Sequence, residues 1–278
     1  MRFGPAGIPL CTTGGVFEGV EDTARLGLGA FEVEFVRGVS MSEDYAARVG
    51  EQARKLEISL SAHCPYWINC AAKEKAKLIT TERNILETAR IARILGARII
   101  VFHPGFYMGR SPGETSALIK KTLAGILEKM KQEKLSEVVL GLETSGKQTQ
   151  FGTLSENLEI AAEFGQAVVV DFAHIHARGN GALKNKEDYK KIFDEMEKVM
   201  GAPALKKLHA HFSEIEYSEK GERWHLELGT KNSPPFKPLA EVIAENGYDG
   251  TIICESPLLE QDALRMKKIL DEAIKKSR

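Results

Sequence analysis

Short segments rich in β-branched and apolar residues alternate with longer amphipathic ones from end to end, and the alternation repeats eight times without a compositional break. A strand followed by a helix, over and over, commits a chain to parallel strands joined by helical crossovers. The strand candidates are 2–9, 30–36, 58–64, 98–103, 137–143, 167–172, 205–212 and 250–255; the helix candidates are 20–28, 43–56, 72–95, 114–132, 154–164, 187–200, 239–245 and 259–275. Several strands are unbroken apolar runs, as in Ile99-Ile100-Val101-Phe102 and Ala167-Val168-Val169-Val170, the pattern of strands covered on both faces. Eight units of about 35 residues fit a closed barrel better than an open doubly wound sheet. The expectation is an α/β fold, a single (β/α)8 TIM barrel spanning 1–278, with the open sheet as the alternative.

Local chemistry agrees. Thr153-Leu154-Ser155-Glu156 has capping-box spacing, and Leu78, Ile79, Ile85, Leu86, Ala89, Ala92 and Leu95 recur near a 3.6-residue period. The least regular pieces are the loop around Arg178-Gly179-Asn180-Gly181 and the segment Pro234-Pro235-Phe236-Lys237-Pro238. No apolar run approaches the roughly 18 residues of a bilayer span, so no membrane is expected. The N-terminus carries no leader pattern, and Cys11, Cys64, Cys70 and Cys254 form no C-x-x-C pair, which points to a reduced, cytoplasmic setting. With 38 Lys+Arg against 39 Asp+Glu, the chain has no bulk charge with which to grip nucleic acid, leaving only local patches for such binding.

The strand termini carry the chemistry. His63, His103, Glu143, Asp171, His211 and Glu255 close the third to eighth strand candidates, at separations of 40, 40, 28, 40 and 44 residues. In a parallel barrel these ends open on one face, where barrel enzymes place their sites. A lone strand-end acid is usually a helix N-cap and a lone histidine a packing residue, but six together converge. Three carboxylates ringing one mouth resist joint ionisation unless cations neutralise them, and imidazoles beside them suit zinc or manganese. His174, three residues beyond Asp171, and His225, in the loop after the seventh strand, can reach the same cavity. Of the remaining two histidines, His209 shares a strand face with His211, and His176 reads as a solvated loop residue.

Other motifs fail. Gly109-Arg110-Ser111-Pro112-Gly113 matches G-x-S-x-G, yet Pro112 lacks the N–H an oxyanion hole needs, so Ser111 reads as a helix N-cap. No phosphate-binding loop, H-E-x-x-H pair or dinucleotide fingerprint occurs. Cys64 and Cys254 neighbour proposed ligands but face the other side of their strands, toward the core.

Ala62-His63-Cys64-Pro65-Tyr66-Trp67-Ile68-Asn69, Phe102-His103-Pro104-Gly105, Leu142-Glu143-Thr144, Asp171-Phe172-Ala173-His174, His211, His225 before Leu228-Gly229, and Glu255 carry a family likeness. Together they resemble the endonuclease IV family of apurinic/apyrimidinic (AP) site DNA-repair enzymes. That family lies in the barrel superfamily that also holds xylose-isomerase-like sugar isomerases and epimerases. The resemblance runs over nearly the whole chain. It implies one zinc on His63, His103 and Glu143, a second bridged by Glu143 and held by Asp171, His211 and Glu255, and a third on His174 and His225. It also implies Tyr66 and Trp67 on a DNA-facing loop, with Phe106, Tyr107, Met108, Arg110, Lys147 and Arg178 as backbone contacts.

The chain departs from the family pattern in two places. Arg223 stands where the family has an Asp two residues before the histidine matched to His225, and Glu222 can substitute only if the loop shifts. Ser213-Glu214 replaces the Asn-Asp that follows the seventh-strand histidine. The implied activity is metal-dependent hydrolysis of DNA on the 5′ side of abasic sites, centred on Glu143, by a monomer acting on duplex DNA.

The main rival is a one-metal sugar isomerase or epimerase built on Glu143, Asp171, His211 and Glu255 alone. That reading leaves His63, His103, His174 and His225 without a role, although Glu32-x-Glu34 on the second strand suits a sugar enzyme. A third reading is a degenerate barrel that binds without turnover.

Overall fold

A computed structural model of the chain describes residues 1–231 and 233–277. Eight parallel strands line the barrel: β1 (Arg2–Pro5), β2 (Ala30–Glu34), β3 (Ser59–His63), β4 (Ile99–Phe102), β5 (Val139–Glu143), β6 (Ala167–Asp171), β7 (Leu208–Phe212) and β8 (Gly250–Cys254). Ladders run unbroken from β2 through β3, β4, β5, β6, β7 and β8 to β1. The ring closes where the Gly29 amide donates to Phe3 O (3.0 Å) and the Gly7 amide to Glu32 O (2.9 Å). This is the TIM barrel that the strand–helix alternation predicts.

The connecting helices are α1 (Val16–Arg25), α2 (Glu43–Lys55), α3 (Lys75–Leu95), α4 (Pro112–Gln132), α5 (Leu154–Phe164), α6 (Phe172–Arg178), α7 (Lys186–Met200), α8 (Phe236–Asn246) and α9 (Glu260–Ser277). Thr153 caps α5 as its spacing predicts: its Oγ1 accepts from the Glu156 amide (3.3 Å), and the Glu156 carboxylate accepts from the Thr153 amide (2.9 Å). Ser111 caps α4 in the same way, with Pro112 at the first helical position, where a missing N–H costs nothing.

The apolar core lies between strands and helices in two clusters. Phe31, Ile85, Ile100, Ile119 and Leu123 belong to one; Phe172, Tyr189, Phe193, Phe212 and Phe236 to the other. In the second, Phe172 packs on Tyr189 and Phe193, Phe212 meets Phe236 edge-on at 4.9 Å, and the Tyr189 hydroxyl donates to Pro235 O (2.8 Å). Burying each such ring contributes about 1.5–3 kcal/mol, so the outer shell holds the barrel together. The lumen is free to be polar, and Glu32, Ser61, His63, Glu143, Asp171, His209 and His211 are all buried.

Several boundaries differ from the sequence-based reading. β1 ends at Pro5, α1 starts at Val16, and residues 202–206 form a 3-10 turn ahead of β7. α6 has no counterpart among the helix candidates: it starts immediately after β6, because Asp171 at the strand end accepts from the His174 amide (2.8 Å) and caps the helix. His176 is therefore not a solvated loop residue. It is 2 % exposed inside α6, accepts from the Leu183 amide at Nδ1 (3.2 Å) and stands edge-on to Tyr217. α8 takes in Phe236 to Pro238, since a proline in the first helical turn forfeits no hydrogen bond.

The loop after β7 folds into an antiparallel ribbon, Glu214–Ser218 against Gly221–Leu226. Its pairing runs Glu216 to Trp224 and then Tyr217 to Glu222, so Arg223 is the extra residue of a β-bulge. The ribbon tip rests on the loop after β5, where Gly221 and Lys147 bridge and the Glu222 amide donates to Gly146 O (3.1 Å). Gly221 has φ +99°, and a Cβ there would lie 2.1 Å from Gly146 O, so only glycine fits this contact.

Candidate metal centre

All eight side chains singled out as metal ligands meet at the C-terminal mouth of the barrel. Glu143, 1 % exposed, is the hub. Its Oε2 lies 3.1 Å from His63 Nε2 and 3.4 Å from His103 Nε2; its Oε1 lies 3.2 Å from His211 Nδ1 and 3.5 Å from His174 Nδ1. The two oxygens of one carboxylate thus face two different groups of histidines. Asp171 Oδ2 is 3.1 Å from His174 Nδ1, Glu255 Oε1 is 3.2 Å from His211 Nδ1, and Glu255 Oε2 is 3.9 Å from His225 Nε2.

Partners outside the cluster orient the imidazoles. His63 Nδ1 donates to Cys64 O (2.8 Å), which turns Nε2 toward Glu143. His174 Nδ1 donates to Thr144 O (3.0 Å), leaving Nε2 toward the second rim. His225 Nδ1 bonds the Ser213 hydroxyl (2.6 Å), and His103 Nδ1 lies 3.3 Å from the Ser145 hydroxyl. Rings fixed at one nitrogen and aimed with the other are the usual preparation for a metal.

The electrostatics are those of a crowded polar mouth. Burial pushes Glu143 up, but the charges of His103 and His211 and hydrogen bonds from His174 and His211 outweigh it and hold the carboxyl well below its usual range. Asp171 goes the other way: burial, reinforced by Glu255 and Glu143, drives it well above, against the pull of His174. Against the opposing cost of burial, Glu34 and Glu143 raise His63 to about 10, and the surrounding carboxylates raise His174 and His211 well above the normal imidazole value. Burial lowers His103 and His225.

The donor set fits a divalent cation. Asp171 Oδ2, Glu222 Oε2 and Glu255 Oε2 are buried without a hydrogen bond, and a cation relieves such oxygens at once. Potential ligand atoms of His103, Glu143 and His174 lie within 4.8 Å of one another; so do those of His174, His225 and Glu255, and those of Glu143, Asp171, His174 and Glu255.

The bulge at Arg223 settles which acid faces His174. Glu222 Oε2 is 3.2 Å from His174 Nε2, whereas the Arg223 side chain is exposed. Glu222 therefore reaches the cluster by the loop shift that substitution at this place requires. A second acid, read in the sequence only as part of Glu32-x-Glu34, also meets the histidines. Glu32 lies fully buried below the mouth, with its Oε2 3.0 Å from His209 Nε2 and its Oε1 2.9 Å from His211 Nε2. Its only sequence signal is two acids, Glu32 and Glu34, in an otherwise apolar strand.

Tyr66 and Trp67 stand on the rim after β3, 63 % and 69 % exposed, with the Tyr66 ring edge-on to His63. Trp224, 56 % exposed on the ribbon, is a further rim aromatic that no sequence motif marks. Arg178 is not free to hold a ligand backbone: its guanidinium donates to Lys147 O (2.6 Å), Gln150 O (2.9 Å) and the Tyr107 hydroxyl (3.2 Å), stapling the loop after β5. Arg110 is likewise engaged, to Ala71 O (2.7 Å), and Lys147 pairs with Glu222 (3.4 Å). Among the described residues no helix is long and apolar enough to cross a membrane.

Comparisons with known proteins bear on the family and the fold. The family model for xylose isomerase-like TIM barrels matches residues 20–275. An uncharacterized protein of Methanocaldococcus jannaschii is 39 % identical over 272 residues, which cover 98 % of this chain and 97 % of that one. A probable endonuclease 4 of Staphylococcus carnosus is 29 % identical over 197 residues, covering 67 % and 63 % respectively. Among solved structures, a D-tagatose 3-epimerase-like protein superimposes with a TM-score of 0.75 at 22 % identity, covering 100 % of this chain and 98 % of that one, a likeness of fold alone.

Proposed function

The chain belongs to the xylose isomerase-like TIM barrel family, and from that premise we propose that the mouth cluster is a multinuclear zinc or manganese centre of an AP endonuclease. Its reaction is hydrolysis of a duplex DNA phosphodiester 5′ to an abasic site, leaving a 3′-hydroxyl. The observation that carries this reading is the division of Glu143, whose Oε2 faces His63 and His103 while Oε1 faces His211 and His174. A carboxylate so placed bridges two subsites. Asp171, His211 and Glu255 complete the second, and His174 and His225 with Glu222 begin a third. Sequence similarity to an endonuclease 4 supports the same reading.

Divalent ions held by His63, His103, Glu143, Asp171, His211 and Glu255 would supply water activation at neutral pH and charge neutralisation for an in-line displacement. The protein's own contribution is placement. His63 and His174 present fixed nitrogens because backbone carbonyls hold their other ring atoms. Asp171 spends Oδ1 on capping α6 and so aims Oδ2 at the cluster. Tyr66 and Trp67 offer exposed rings on which bases beside an abasic gap can stack. The chain carries no excess charge, so binding relies on these local contacts.

A second reading, a one-metal sugar epimerase, is favoured by Glu34. Burial raises its carboxyl to about 8, a value suited to proton transfer. Elemental analysis separates the two. Two or three bound ions, and nicking of a duplex carrying a tetrahydrofuran abasic analogue that EDTA abolishes, are expected for the endonuclease. A single ion and ketose epimerisation without nicking would replace it with the second reading.

A further inference from the structure

We infer that Glu32 is the positioning residue for His211: it holds a proton on Nε2 and so turns the Nδ1 lone pair toward the ion in the mouth. The inference rests on the metal reading of the mouth but not on DNA as the substrate. Other histidines of the cluster have a ring nitrogen held by a carbonyl or a hydroxyl, as His63 by Cys64 O, His174 by Thr144 O and His225 by the Ser213 hydroxyl. His211 meets carboxylates at both ring nitrogens, and the one at its outer nitrogen, Glu32, lies outside the mouth cluster. Nε2 is 2.9 Å from Glu32 Oε1, while Nδ1 is 3.2 Å from both Glu143 and Glu255.

Glu32 is anchored independently of His211. The Ser61 hydroxyl donates to its Oε2 (2.6 Å), and His209 Nε2 lies 3.0 Å from the same oxygen. Those contacts use one carboxylate oxygen and leave Oε1 for His211. Oε1 and His211 Nε2 are both buried without a hydrogen-bond partner, and their 2.9 Å approach sets these two unmet groups against each other. Both side chains are fully buried. Below them, Ser61 and His209 line a cavity of about 750 Å³ at the N-terminal end of the barrel, together with Arg2, Arg98 and Thr251. They seal Glu32 from that side.

An imidazole pinned in this way offers a single tautomer. A ligand whose outer nitrogen is bonded to a carboxylate is also a stronger base, and loss of such a partner weakens metal binding by about 10- to 100-fold. His209 acquires a role as well, since it and Ser61 hold the carboxylate in place.

The test measures zinc affinity by competition with a chromophoric chelator. Glu32→Gln is expected to weaken it by about 10- to 100-fold with the ion count unchanged, and Ser61→Ala to weaken it less. In wild-type protein loaded with cadmium-113, scalar coupling to His211 is expected at Nδ1, with a proton retained on Nε2. This measurement decides the matter even if Glu32→Gln does not fold. Unchanged affinity in Glu32→Gln, or coupling at Nε2, would overturn the inference and leave the metal reading standing. Loss of one ion from His209→Ala with the others held as tightly as before would make Glu32, His209 and His211 a metal site instead, and overturn it too. A wild-type protein that binds no divalent ion would overturn both readings together.

Discussion

On one side of the barrel mouth His63 and His103 project from the ends of β3 and β4; on the other, Glu222 and His225 arrive on a ribbon that leaves β7 and folds back over the site. The first pair is placed by the parallel ladder, in which Glu34 lies opposite His63 and His63 opposite Val101. The second is placed by a bulge and by the contact of Gly221 with Gly146. A ladder fixes side-chain direction through the period of two. A bulged ribbon fixes it only once the extra residue and its docking surface are known. One side of the site is thus built into the scaffold, and the other is latched onto it.

Glu143 belongs to both sides, so its loss erases the difference. Glu143→Gln keeps the shape but removes the charge toward which four histidines converge. Nicking of the abasic duplex is expected to fall by roughly 10³-fold or more, about 4 kcal/mol of barrel-mouth stabilisation of the transition state. Elemental analysis should show ions lost from both subsites. Full activity in this variant would remove Glu143 from the bridging role.

Gly221→Ala attacks the latch alone. A Cβ at φ +99° and 2.1 Å from a backbone oxygen cannot be accommodated without moving the ribbon tip. Stability is expected to drop by about 1–3 kcal/mol in urea unfolding. The ions held by His63, His103 and Glu143 should remain, while binding that depends on Glu222 and His225 weakens. Uniform loss of every ion would mean that the two sides are not separable.

This division also explains what is legible in the sequence. His63, His103, Glu143, Asp171, His211 and Glu255 can be read because each closes an apolar run, and a parallel barrel gathers all such ends on one face. The fold is legible for the same reason. Glu32 is visible in the sequence only as one of two acids in an apolar strand; its contact with the cluster comes from His209 and His211, about 180 residues away along the chain and beside it in the lumen. The exchange of Arg223 for Glu222 is undecidable without the bulge. α6 is hidden because its cap, Asp171, already counts as a candidate ligand, and the two roles use different oxygens.

One histidine from each side, His63 and His225, titrates in the opposite direction to the other. In the metal-free protein His63 is raised from 6.5 to about 10, with burial opposing and the carboxylates of Glu34 and Glu143 prevailing. A raised histidine contributes stability that is fully present below about 6.5 and is lost as pH climbs toward 10. Burial lowers His225, so its protonation opposes folding as pH falls below the ordinary imidazole range. Urea unfolding of metal-stripped protein should therefore show stability declining from about pH 6.5 to 10, with His63 contributing a slope of at most about 1.4 kcal/mol per pH unit. His63→Gln should flatten that decline. Loading with zinc should flatten it as well, because the ligand must be neutral throughout.

The smallest expected effect is the sharpest test of the latched side. If sequence position alone decided the ligand, Arg223→Asp would restore an acid at the family's place and tighten ion binding near His174 and His225. The structure puts residue 223 in the bulge with its side chain in solvent, while Glu222 Oε2 lies 3.2 Å from His174 Nε2. Arg223→Asp is therefore expected to change stability by no more than about 0.5 kcal/mol, the range of ordinary surface substitutions, and to leave the ion count untouched. Glu222→Gln should weaken binding at that corner of the site, read as a lower zinc occupancy under chelator competition. An added ion in Arg223→Asp, or no change in Glu222→Gln, would show that the ribbon re-registers in solution and that the bulge does not choose the ligand.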